Sequence, residues 1–149
     1  MAEPLIAYLH YLSIILTGGF LVGELLLCRQ GMTADQVRRL PIIDIVFFVS
    51  ALVALATGLL RLFFYAKGVE FYLGNPFFWA KMVLYVVIAT LSIKPTRTFI
   101  RWKRAIVSGG GASPAGGDVA GVRRLIHIEL GLLALMPLMA VLMARGLGR

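Results

Sequence analysis

Cysteine, acidic residues and histidine are all scarce in this chain, and each shortage closes off a class of function. The 149 residues hold one cysteine, Cys28, so an internal disulfide and a cysteine-cluster metal site are both excluded. Seven Asp and Glu stand against fifteen Lys and Arg, a net charge of +8. Extended polar sequence is missing too: 60% of the residues are hydrophobic and the mean hydropathy is +0.89. A soluble domain of this size could not bury that much apolar surface, so the chain reads as an integral membrane protein. In that setting the basic excess points to membrane orientation and anionic lipid, not to nucleic acid.

What is present is four apolar segments with no soluble domain between them. They are predicted as spans at about 5–28, 41–65, 77–94 and 122–144 of an all-α, four-helix membrane bundle. The first, Leu5–Cys28, is 24 residues long. At about 1.5 Å per residue it crosses a bilayer core of about 30 Å. Glu3 replaces the basic flank of a secretory signal and no A-x-A site follows, so this span is expected to stay in place. Pro41 suits the start of the second span, and Thr33-Ala-Asp-Gln36 before it reads as the cap of a brief interfacial turn. Residues 95–121 are expected to form a basic amphipathic stretch and then a flexible Gly-rich linker. Arg97, Arg101 and Arg104 share one helical side of that stretch, and Phe99, Trp102 and Ile106 the other. The pattern predicts a helix lying on anionic lipid over 96–107. Ser108 to Gly117 carries no structural signal, and Pro137 is expected to kink the fourth span.

Loop charges predict the orientation. The first loop carries Arg29, Arg38 and Arg39, and the stretch from Lys94 to Arg124 carries seven Lys and Arg. The N-terminus has none, the second loop has Lys67, and the tail has Arg145 and Arg149. The positive-inside rule puts loops one and three in the cytoplasm and both termini outside.

Polar residues inside the spans are not scattered. His10, Ser13, Thr17 and Glu24 form one stripe on the first helix. Titratable groups at membrane depth are costly, and they face a bundle interior, pair, or bind something. With the spans laid antiparallel, two polar layers emerge. Glu24, Asp44, His127, Glu129 and Arg123 fall in the inner half, where they read either as a buried ion-pair network or as a proton path. His10, Arg61 and Lys81 fall in the outer half, with Tyr85 on the face of Lys81. The two cations read either as snorkelling to the surface or as an anion site, for example for haem propionates. His10 would then be an axial haem ligand, with Met139 or Met143 of the fourth span as the second. The same His and Met set also suits Cu(I).

Three stretches carry a resemblance: LHYLSIILTGGFLVGELLLCR, FFWAKMVLYVVIATLSIKPTRTFIRW and the closing MARG. Together they resemble a bacterial family of small predicted membrane proteins of unknown function (domain of unknown function 2214). More distantly, the plan is similar to the flavin-free protoporphyrinogen oxidase and to the copper-resistance D membrane domain. In that oxidase a first-span histidine and a third-span lysine in a W-x-x-K-type segment matter for function, and haem b is bound. His10 and Lys81, the latter within Trp79-Ala-Lys81, stand at the corresponding places. The tryptophan and the Leu-Pro-Arg segment of the oxidase's first span have no counterpart here. The resemblance implies a membrane haem-b redox protein passing electrons or hydrogen to a quinone or a partner complex. His10, Trp79, Tyr85, Met139 and Met143 would line the cofactor, and Lys81 with Arg61 would act on the substrate. A copper or metabolite transporter, and a non-catalytic subunit of a larger membrane complex or homodimer, are the alternatives.

Overall fold

A computed structural model describes residues 2–65, 68–109 and 114–148. They form four long helices and one short one: α1 Ala2–Leu27, α2 Ala34–Leu60, α3 Val69–Leu73, α4 Pro76–Val107 and α5 Gly116–Ala144. A π-helical turn, Arg61–Tyr65, prolongs α2. The long helices pack as two antiparallel hairpins, α1 on α2 and α4 on α5. These close into a ring in which α2 also touches α4 and α1 touches α5. The α1–α5 and α2–α4 seams are much less extensive than the two within the hairpins. The bundle has a basic end, holding the α1–α2 and α4–α5 connections, and an opposite end holding α3 and both termini.

Four helices among the described residues are long and apolar enough to cross a membrane. Their most apolar windows have mean hydropathies of 1.7 to 2.4, yet only 11% to 22% of those residues are buried. The apolar surface therefore points outward, as it must where lipid is the solvent. The interior mixes an apolar core with buried polar residues. On α1 the buried residues are Ser13, Thr17, Leu21 and Glu24, the stripe read from the sequence, with His10 half-buried beside it. Ser13 and Thr17 donate to the carbonyls of His10 and Ser13 at 2.8 and 2.7 Å, and Ser50 and Thr57 do the same on α2. Each hydroxyl is thus satisfied within its own helix, away from water.

Helix boundaries depart from the sequence reading in two places. The Thr33 side chain accepts from Gln36 N while the Gln36 side chain accepts from Thr33 N, so this capping box opens the whole of α2, not a brief turn. Pro41 consequently lies inside α2. It cannot donate to the Val37 carbonyl, but helical hydrogen bonding continues on both sides. Likewise α4 runs unbroken through Pro95 to Val107. The amphipathic stretch over 96–107 is therefore the end of the third span's helix. Phe99 and Trp102 are buried against a core that includes Val119 and Val122 of α5, not turned towards lipid. Arg97, Arg101 and Arg104 are on the outside. Pairing with α5 competes with the bilayer for the same apolar face, and a preformed hairpin partner wins. α5 also continues through Pro137. Of the flexible stretch expected over 108–117, residues 110–113 lie outside the described residues, as do Lys67 and Arg149.

Candidate functional site: a buried carboxylate cluster

Helical periodicity sets this site. Glu24 lies three residues after Leu21 on α1 and four before Cys28, the residue just past the helix, and both are fully buried. Asp44 lies between Leu40 and Phe47 on α2, and Glu129 three residues after Ile126 on α5. Each acid therefore occupies a core position of its helix, one turn from apolar residues of the same cluster. Closing the ring brings the three together, within Coulombic reach of one another. Glu24 and Glu129 are 1% exposed and Asp44 5%.

The fourth helix supplies hydroxyls. Ser92 Oγ of α4 lies 2.9 Å from Glu129 Oε2. Thr96 Oγ1, one turn on, donates to Asp44 Oδ1 at 3.0 Å. One oxygen of Glu24 and one of Glu129 are buried without a hydrogen-bond partner. An isolated carboxylate in such surroundings costs several kcal/mol of desolvation, about 20 kcal/mol in the idealised limit. Leaving three of them uncompensated is not viable.

Arg123 lies on the same helix as Glu129, six residues before it, and the structure sends it elsewhere. Its guanidinium donates to the carbonyls of Leu25, at 2.8 Å, and of Cys28. These belong to the last turn of α1 and the residue just after it, which lack intrahelical donors, so Arg123 caps that helix end. His127 is exposed, and its Nδ1 lies 2.7 Å from the Arg123 carbonyl. The two ion pairs among the described residues, Arg39–Asp35 and Arg101–Asp118, are both on the surface. Of the inner residues named from the sequence, Glu24, Asp44 and Glu129 thus converge, while Arg123 and His127 sit at the rim. Among the described residues no group of three His, Cys, Asp or Glu could hold a metal ion.

At the opposite end, His10, Arg61 and Lys81 lie within Coulombic reach of one another. His10 Nδ1 contacts the Ala54 carbonyl at 2.9 Å and Thr57 Oγ1 at 3.1 Å. The carbonyl can only accept, so Nδ1 carries the proton and Nε2 the lone pair. Gly58 makes room for the ring: a Cβ there would stand 3.0 Å from His10 Cε1. The Arg61 guanidinium lies over the Tyr11 ring, 5.3 Å from its centre. Tyr85 donates to the Ala51 carbonyl, and the exposed Trp79 to the Leu73 carbonyl. Met143 is buried with Leu62 and Phe78, and Met139 is half-buried one turn before it. The sequence reading missed Thr96 and Gly58. Nothing in a lone threonine after Pro95, or in one glycine of an apolar span, announces a partner on another helix.

The matching family description is "predicted membrane protein (DUF2214)", and its model covers residues 2–148. No curated protein and no solved structure matches the chain. With four outward-facing apolar helices and a match over almost the whole chain, the protein belongs to the DUF2214 family of predicted membrane proteins.

Proposed function

We propose that this protein handles protons within the membrane, with Glu24, Asp44 and Glu129 as the groups that bind and pass them. One observation carries the reading: three carboxyl groups from three helices are buried together, two of them with hydroxyl partners, and none pairs with a cation among the described residues. Charge balance requires positive charge to enter the cluster. No three-ligand metal set exists among the described residues, which favours the proton, the one cation that needs no coordination shell. Ser92 and Thr96 are the hydroxyls through which a proton leaves or reaches the acids. Intramembrane carboxylates disposed in this way are the usual parts of proton relays. The reading places the protein in the bacterial inner membrane, where a proton gradient gives such a cluster work to do.

The test is proton flux into vesicles containing the purified protein, driven by a potassium gradient with valinomycin and read with an internal pH dye. Flux above that of protein-free vesicles, lost in Glu129→Gln, is expected. Wild-type flux no greater than that of empty vesicles would overturn the reading.

A second reading, haem b at His10, is favoured by the imidazole geometry. A ring held through Nδ1–H on a backbone carbonyl presents Nε2 as a ligand in a fixed orientation. Arg61 and Lys81 would then hold propionates, Met139 or Met143 would be the candidate second ligand, and a quinone or partner complex the electron acceptor. Bound haem would supply the one-electron chemistry. A reduced-minus-oxidised spectrum of protein purified with haem supplied decides it: a Soret difference lost in His10→Ala supports haem, and a flat spectrum removes it.

A further inference from the structure

At the basic end, the seam between α1 and α5 opens into a groove of about 830 Å³, outside the carboxylate cluster. Its apolar side includes Leu26 and Val119, and its polar side Arg29, Arg123, Arg124 and His127. Among the described residues no acid lines it. Arg123 is committed to the α1 carbonyls, which take its hydrogen bonds but leave its charge. Arg29 and Arg124 are exposed and have no hydrogen-bond or ion-pair partner among the described residues. The groove between α4 and α5 is also basic, with Lys94, Arg97 and Arg101, but it holds an acid of its own: Asp118 pairs with Arg101 at 2.9 Å.

We infer that the α1–α5 groove binds an anionic phospholipid, its phosphate between Arg29 and Arg124 and an acyl chain along Leu26. Charge complementarity selects the headgroup: three guanidinium groups without a counter-ion make a local field that an anion relieves, and guanidinium forks match phosphate oxygens. The apolar side selects a lipid over a free ion. Leu26 is 71% exposed beside the guanidinium groups, so one ligand must satisfy both surfaces. Basic pockets between membrane helices are a recognised form of headgroup site.

The experiment is native mass spectrometry of the full chain in detergent, titrated with phosphatidylglycerol and, separately, phosphatidylcholine. The wild type is expected to retain phosphatidylglycerol and not phosphatidylcholine. At about 1 kcal/mol per basic residue, the Arg29→Ala/Arg124→Ala pair binds it about thirtyfold more weakly. Arg38→Ala/Arg39→Ala removes the same charge from α2 and should change binding less than about twofold. If the first pair does not purify as a folded helical protein, Arg29→Gln and Arg124→Gln singly should each cost about fivefold. Equal losses in both pairs, unchanged binding in Arg29→Ala/Arg124→Ala, equal retention of phosphatidylcholine, or displacement by inorganic phosphate at the lipid's concentration would each overturn the proposal.

Discussion

The two polar layers of this bundle treat charge in opposite ways. Near the basic end, three groups of the same sign share one buried space, supported by two hydroxyls and leaving two carboxyl oxygens unpartnered. At the other end the titratable groups are also within Coulombic reach of one another, but two of them have neutral partners of their own. His10 rests on the Ala54 carbonyl, Arg61 lies over Tyr11, and Lys81 stays half-buried. Individually accommodated groups can serve packing alone. A concentration of unbalanced buried acids costs stability with no structural return, which is why function is assigned to it first.

That contrast can be broken by mutation, most sharply at the acids. Glu129→Gln keeps the shape and removes the titrating oxygen. Proton flux should fall by roughly a hundredfold, the scale of a lost proton-transfer group, while helicity measured by circular dichroism stays unchanged. Glu24→Leu should abolish flux and yet raise the thermal unfolding temperature in detergent. Glu24 keeps a buried oxygen with no hydrogen-bond partner, and removing such a group in favour of an apolar side chain of similar size relieves about 1–3 kcal/mol. A fall in that temperature would mean that the cluster is structural after all. Thr96→Val takes away the donor to Asp44 and should destabilise by about 1–3 kcal/mol, with Glu24→Leu partly suppressing the loss.

The other layer should respond more weakly and without coupling to flux. Gly58→Ala drives a methyl group against the His10 ring and should cost about 1–2 kcal/mol, read as a lowered unfolding temperature. If haem is bound, the same variant also shifts its spectrum, which separates the two readings of His10. Tyr11→Leu removes the face beneath Arg61 and should cost about 0.5–1 kcal/mol. A larger loss there would show that the cationic layer is more tightly built than its exposure indicates.

Much of this was legible without coordinates. Membrane residence, four spans and an inward polar stripe on α1 follow from composition and from spacings of three, four and seven, because helical geometry converts sequence separation directly into direction. Span boundaries likewise put Glu24, Asp44 and Glu129 in the inner half of the membrane. Local rules were less reliable where two of them competed. Pro41 and Pro95 read as boundaries, yet packing across the bundle carries both helices through them. The Phe99–Trp102 face read as lipid-facing because no sequence rule says which of two apolar environments, bilayer or neighbouring helix, takes it.

What only the tertiary structure decided is which groups meet. A sequence lists charges along one axis and is silent on rotation and register between helices. An inner layer of acids, Arg123 and His127 could equally have closed as ion pairs. Ring closure turned Arg123 to the end of α1 and left the acids facing the hydroxyls of α4. Composition settles that the molecule lives in lipid, because its surface free energy there is a sum over residues. Pairing is a property of distance, and distance exists only once the helices have packed.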